Sequence, residues 1–171
     1  MFSKPAIITS AHDVRHFDCG NTALNEFLVK YAVANTSAGL SRTFVTTLVD
    51  QPAVVGYCSI AAGSVEREDA PDRVAKGTPR HPIPVVLLAR LAVDLKYQGQ
   101  KLGDGLLKHA LLKVVEASHN IGIRAALVHA KHKKAVDFYA KYGFIPSPSN
   151  PFHMMLILKD IAKIIAPQTA Q

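Results

Sequence analysis

The stretch "LARLAVDLKYQGQKLGDGLLKHALL", Leu88–Leu112, changes character in its middle. An apolar run ends at Asp94, a polar turn carries Gly99, Gly103 and Gly105, and an amphipathic pattern then starts. A strand, a glycine turn and a helix in that order outline an anion site. The helix N-terminus leaves backbone N–H groups unpaired, and its dipole favours negative charge. Glycines let the backbone come close to a phosphate and take positive φ. The turn formed by Gln98, Gly99, Gln100, Lys101, Leu102, Gly103, Asp104 and Gly105 is therefore expected to hold a phosphate or pyrophosphate. It is not a Walker A loop, which would end in GKS or GKT, and no GxGxxG is present. Asp104 suits a helix start but would repel a phosphate, so its side chain is expected to point away.

The elements that must position this turn can be read from periodicity. "VVLLARLAV" is a near-continuous apolar run, as expected of a central strand covered on both faces. Leu102, Leu106, Leu107, Ala110, Leu111, Val114 and Val115 mark one face of the following helix. Upstream, Asn21 or Thr22 ahead of Glu26 opens a helix whose Leu24, Phe27, Leu28 and Tyr31 recur at helical spacing. "RTFVTTLV" and "AVVGYCSIAAGSV" read as a strand hairpin around "DQP". "EREDAPDRVAKGTPRHPIP" is a polar loop with room for one helical turn. Downstream, "RAALVHA" reads as a strand and "KHKKAVDFYAKYGF" as a short helix stopped by Gly143. "HMMLILK" is a last strand, and "IAKIIAPQTAQ" a short helix with a tail. The expected fold class is α/β of mixed character: a mixed central sheet flanked by helices, with a βαβ crossover in its second half.

A chain of 171 residues with 49% hydrophobic content is long enough for one domain, residues 1–171, with a substantial core. No apolar run reaches about 18 residues, so no membrane span is expected. The start lacks the apolar stretch of a secretion signal, and Cys19 and Cys58 form no disulfide framework or zinc spacing. A reducing cytoplasm is the expected setting. The net charge of +7 points to a polyanionic partner: nucleic acid, an acidic protein or an anionic cofactor. His12 with His16 and His129 with His132 have helical spacings, but no CxxC or HExxH accompanies them, and no metal is expected. Ser59 lacks a GxSxG setting, which argues against a hydrolase.

The turn resembles the signature of the GCN5-related N-acetyltransferase (GNAT) superfamily, Gln or Arg, two residues, Gly, one residue, then Gly or Ala, after the fourth strand. Two registers fit: one from Gln98 through Lys101 to Gly103, the other Gln100, Gly103, Gly105. The strand and helix positions favour the first, which places Lys101 where the family has glycine. Lys there would be strained by about 1 kcal/mol or more if that position needs positive φ. The resemblance implies that the turn amides hold the pyrophosphate of acetyl-CoA and that Leu91, Ala92 and Val93 pair with its pantetheine arm. "AVDFYAKYGF" resembles the family's fourth helix and makes Tyr139 the acid that protonates the leaving thiolate. A phenol with a pKa of about 10 is a competent donor to a thiolate whose thiol has a pKa of about 8.5.

A narrower resemblance runs along nearly the whole chain. "LNEFL", "SRTFV", "VVGYCSIAAGSV", "PIPVVLLARLAVD", "IGIRAALVHA" and "AVDFYAKYGF" look like the TacT-like GNAT toxins of bacterial type II toxin–antitoxin modules. It implies acetylation of the α-amino group of aminoacyl-tRNA, hence inhibition of translation. It also implies a homodimer and a ribbon-helix-helix antitoxin, with operator DNA reached only through that antitoxin. Lys30, Arg42, Arg80, Arg90, Lys131, Lys133 and Lys134 are the candidate RNA contacts, with Lys76 and Lys141 as further basic positions. An α-amino group with a pKa of about 8 is partly neutral at pH 7, whereas a lysine at about 10.4 needs a base. No obvious base stands in the central strands, and Glu66, Glu68 and Asp69 in the loop are weak candidates. Two alternatives remain: acetylation of a small amine or protein N-terminus, and a non-catalytic partner-binding element of a repressor complex.

Overall fold

The structure, a computed structural model, describes residues 1–166. Seven strands form a mixed sheet: β1 Ala6–Ile7, β2 Arg42–Thr47, β3 Val54–Val65, β4 Ile83–Val93, β5 Ala125–His129, β6 Ile145–Pro146 and β7 His153–Ile157. Their order across the sheet is β1-β2-β3-β4-β5-β7-β6. The helices are α1 Thr22–Lys30, α2 Ala32–Ala38, α3 Asp72–Ala75, α4 Leu102–Ser118, α5 Lys133–Ala140 and α6 Leu158–Ile165. The expected hairpin is present, with β2 and β3 antiparallel and a register shift at Thr46/Thr47. The expected crossover is β4-α4-β5, with Val85–Leu88 parallel to Ala125–Val128. The two-residue strands β1 and β6 and the second N-terminal helix α2 were not among the expected elements. Strand β7 is two residues shorter than expected, because Leu158 and Lys159 already belong to α6. The polar loop holds two short helical turns, Arg67–Asp69 and α3.

The chain forms two compact units, residues 1–61 with 89–110 and residues 62–88 with 111 onward. The first has an aromatic core. Phe17 and Phe27 pack on Tyr57 with ring centroids 5.6 and 6.2 Å apart. Ile8, Leu28, Val45, Val54 and Ala92 fill in around them. The Tyr57 hydroxyl is not left unpaired in this apolar setting: it donates to the Leu24 carbonyl oxygen at 2.7 Å. The Asn21 side chain caps α1 by accepting from the Leu24 N–H at 3.1 Å, as the sequence pattern anticipated.

The second unit has an aliphatic core, in which Val74, Ile83, Val85, Leu127, Met155 and Ile157 cluster. The Arg124 guanidinium donates to the carbonyl oxygens of Val74 and Lys76, each at 2.9 Å, and so closes off the end of α3. Arg73 makes a two-pronged pair with Asp160 at the start of α6, at 2.6 and 2.9 Å. Among the described residues no helix is long and apolar enough to cross a membrane.

Candidate active site

Strand β4 ends in Leu91, Ala92 and Val93, and it continues past Leu88, its last residue paired with β5. Asp94 then stops the strand. Its carboxylate is buried and accepts the Lys96 N–H at 2.9 Å and the Asp18 N–H at 3.1 Å. Asp18 in turn accepts the N–H of Gly20 and the side-chain amide of Asn25, both at 2.9 Å. These two bonds hold the Asp18 carboxyl below its ordinary range. A single helical turn, Leu95–Tyr97, follows Asp94 and delivers Gln98. The Gln98 side-chain amide donates to the carbonyl oxygens of Val93 at 2.9 Å and Cys19 at 3.3 Å. The entry to the turn is thus fastened by Asp94 and Gln98.

Two residues of the turn take the left-handed backbone, Gly99 at φ 80° and Lys101 at φ 63°. In the register that starts at Gln98, lysine thus takes a left-handed conformation at the position where the resemblance expects glycine. The strain is about 1–2 kcal/mol. Helix α4 begins at Leu102, whose side chain is buried, and Gly105 donates its N–H to the Lys101 carbonyl at 3.2 Å. The N–H groups of Leu102 and Gly103 precede any intrahelical partner, as at every helix start. A Cβ on Gly105 would have no atom within 4 Å, and one on Gly103 would first meet a Val93 methyl at 3.8 Å. The backbone of this first turn is therefore open to an approaching group. Fixed amides, a helix start and glycines with open surroundings fit the pyrophosphate of an acyl-CoA.

In the second unit, His132 caps α5 by accepting the Ala135 N–H on its Nδ1 at 3.2 Å. Tyr139 is buried on this helix, with its ring 5.2 Å from Phe138 and 5.5 Å from Phe144. The helix ends before Gly143, which takes φ 94° and packs 3.5 Å from Leu156 when a Cβ is placed on it. Lys131, Lys133 and Lys134 stand exposed at the start of α5, with no acidic residue in its first turn. Cations there oppose the helix dipole, which costs about 0.3–1 kcal/mol each. Lys133 recovers part of this through Asp137 at 2.8 Å.

The remaining candidate RNA contacts have local partners. Lys30 pairs with Glu26 at 2.9 Å, and Arg42 donates to the Thr36 carbonyl oxygen at 3.3 Å. The Arg90 guanidinium lies 3.6 Å from the centre of the Phe27 ring, so this charge inside an apolar strand is accommodated by an aromatic face. Arg80 lines an open pocket with Glu66 and Glu68. Cys58 is fully buried, and burial pushes its thiol up to about 12. Among the described residues no three His, Cys, Asp or Glu side chains gather as a metal site. The sequence reading missed the positioning role of Asp94. The only signal for it was a carboxylate ending an apolar run.

Residues 41–146 match the family described as an Acetyltransferase (GNAT) domain. A "tRNA-acetylating toxin" of Mycobacterium tuberculosis is 46% identical over 164 residues, covering 96% of this chain and 97% of the relative. A structure of AtaT complexed with acetyl-methionyl-tRNAfMet superposes with a TM-score of 0.88 at 32% identity, covering 97% of this chain and all of that one. A Tyr-to-Phe mutant of AtaT bound to the C-terminus of the antitoxin AtaR and acetyl-CoA gives a TM-score of 0.80 at 30% identity, covering 96% of this chain and 97% of that one.

Proposed function

The chain belongs to the GNAT acetyltransferase family, in its branch of TacT-type toxins, and we propose that it acetylates the α-amino group of aminoacyl-tRNA from acetyl-CoA and so arrests translation. The observation that carries this reading is the strand–turn–helix from Leu91 to Gly105, with Gly99 and Lys101 both in the left-handed conformation ahead of the helix start, which supports a pyrophosphate loop running from Gln98 to Gly103. Support for the substrate comes from the M. tuberculosis tRNA-acetylating toxin, similar over nearly its full length.

Acetyl-CoA would supply the acetyl group as an activated thioester. The amides from Gly99 to Gly103 would hold its pyrophosphate, with Gln98 and Asp94 keeping the turn in shape. Lys101 would offer its N–H, and its exposed ammonium would add charge against the phosphates. Leu91–Val93 would offer strand-type backbone groups to the pantetheine amides. The neutral α-amine attacks the acetyl carbonyl carbon, the C–S bond breaks, and Tyr139 gives its phenolic proton to the departing sulfur. The ammonium proton left on the new amide goes to water, and the phenolate is reprotonated from solvent. Lys131, Lys133 and Lys134 would meet the RNA backbone, which repays their unfavourable place at a helix start. An antitoxin, operator DNA through that antitoxin, and a second copy of the chain complete the proposed partners.

The test is transfer of labelled acetyl from acetyl-CoA to total charged tRNA. Label is expected in the RNA fraction and should leave it on mild base deacylation. Measurable acetyl-CoA binding with no label in RNA would move the substrate to a small amine or a protein N-terminus. Absence of acetyl-CoA binding would leave only the non-catalytic reading.

A further inference from the structure

The segment "FDCGNTALNEFL", Phe17–Leu28, lies within the first unit and carries a short loop, Asp18–Gly20, between two anchored ends. Before the loop, the Phe17 ring packs on Tyr57. After it, α1 is fastened to the same tyrosine, whose hydroxyl donates to the Leu24 carbonyl oxygen. The loop itself docks on the end of β4 and the start of the glycine turn. Asp18 donates its N–H to Asp94 Oδ2 at 3.1 Å and accepts the Leu95 N–H on its carbonyl oxygen at 2.8 Å. The Cys19 carbonyl oxygen accepts from Gln98 Nε2 at 3.3 Å. Gly20 has φ 86°, and a Cβ on it would stand 3.3 Å from a Leu95 methyl carbon.

One side chain holds the loop in the shape that makes these contacts. Asn25, half-buried on α1, accepts the Cys19 N–H on Oδ1 at 2.9 Å and donates from Nδ2 to Asp18 Oδ1 at 2.9 Å. The task needs an acceptor and a donor on one short planar group, which an Asn amide supplies. Helix phase puts it there: Asn21 caps α1, and the Asn25 N–H donates to the Asn21 carbonyl oxygen at 3.0 Å, one turn further on. The bonds from Asn25 span six and seven residues, whereas those from the loop to Asp94 and Gln98 span 76 and 79. Each such bond adds only modestly to stability. Their larger effect is on direction, because a site made of backbone amides binds only as well as its amides are aimed.

We propose that Asn25 is a positioning residue for acetyl-CoA: it ties the first turn of α1 to the Asp18–Gly20 loop, and that loop holds Asp94, Leu95 and Gln98, from which the pyrophosphate turn is aimed. This rests on the acetyl-CoA reading above. Asn25 touches neither the reacting atoms nor the turn itself. It acts through the loop, so its loss leaves the turn in place with its amides misdirected.

Calorimetric titration of the full chain with acetyl-CoA tests this, beside melting curves and steady-state kinetics. Asn25→Ala should weaken acetyl-CoA binding roughly tenfold, what one misaimed charge-assisted hydrogen bond to a phosphate is worth. KM for acetyl-CoA should rise with it, while kcat at saturating acetyl-CoA holds. Asn25→Asp should lose more, because it sets a second carboxylate against Asp18, and adding Asp18→Asn to it should recover part of the affinity. Asn21→Ala is the control: it removes the cap of α1 and should lower the melting temperature without changing acetyl-CoA affinity. Gly20→Ala strains the loop from its other side and should also weaken binding, which keeps the test open if Asn25→Ala fails to fold. Wild-type affinity in Asn25→Ala and Asn25→Asp would overturn the positioning role alone. Equal losses in Asn25→Ala and Asn21→Ala would overturn it too, since helix stability would then explain both. A wild type that binds no acetyl-CoA would overturn the acetyl-CoA reading and this inference together.

Discussion

The turn before α4 and helix α5 are built from different materials. The turn is made of backbone: its working groups are amides, and side chains serve only to brace it, through Asp94 and Gln98. Helix α5 offers one side chain, Tyr139, whose buried ring lies 5.2 Å from Phe138 and 5.5 Å from Phe144. A backbone site tolerates an unexpected residue so long as φ is right, as with Lys101 in the left-handed conformation. A side-chain site has no such tolerance, and one substitution should remove its function.

The largest effect expected from breaking this contrast is at Tyr139, a side-chain function that no backbone group can replace. Tyr139→Phe should lower acetyl transfer by about 10²–10⁴-fold, the usual range for a general acid. Thermal unfolding and acetyl-CoA affinity measured by calorimetry should be unchanged. Asp94→Ala comes next, because it attacks the bracing of the turn. Two N–H donors in partly buried hydrogen bonds, those of Asp18 and Lys96, would lose their acceptor. The expected cost is about 0.5–1.5 kcal/mol for each hydrogen bond lost, seen as a lower melting temperature together with weaker acetyl-CoA binding.

Lys101 sharpens the comparison. Lys101→Gly should stabilise the fold by about 1 kcal/mol through relief of the left-handed strain, which for a chain of this size is about 2–4 °C in melting temperature. Lys101→Ala removes the same charge and keeps the strain, so it should not stabilise. If both variants bind acetyl-CoA as tightly as the wild type, the turn acts through its amides; a shared loss of affinity would assign the binding to the ammonium.

The smallest effect concerns acid. Asp18 has its carboxyl pKa held below the ordinary 3.8 by the Gly20 N–H and Asn25, so the native state favours the ionised form. That contribution is present above the unfolded pKa and is lost as pH falls through the folded one. Melting curves between pH 5 and pH 3 should show a steeper decline for the wild type than for Asp18→Asn.

Much of the turn was legible because local signals agree: an apolar run, closely spaced glycines and a helical period point to the same strand–turn–helix. Even the strain at Lys101 followed from aligning strand and helix. The bracing was not legible. Asp94 meets Asp18 across 76 residues of sequence, and no pattern in one stretch encodes that meeting. The histidines show the same limit. Sequence spacing grouped His129 with His132, yet His132 turned out to cap α5 and His129 to stack on His153. Only the antiparallel register of β5 and β7 joins that pair. Strands β1 and β6, two residues each, are too short to carry a period.

The most direct measurement of the central claim is mass spectrometry of the terminal nucleoside. Charged tRNA is incubated with acetyl-CoA and either wild type or Tyr139→Phe, then digested with a ribonuclease that releases the 3′ aminoacyl-adenosine. The account predicts a gain of one acetyl group on the aminoacyl-adenosine, at the α-nitrogen, with the wild type and none with Tyr139→Phe. An unmodified terminus after incubation with active wild-type enzyme, or an acetyl group found elsewhere on the RNA, would contradict it.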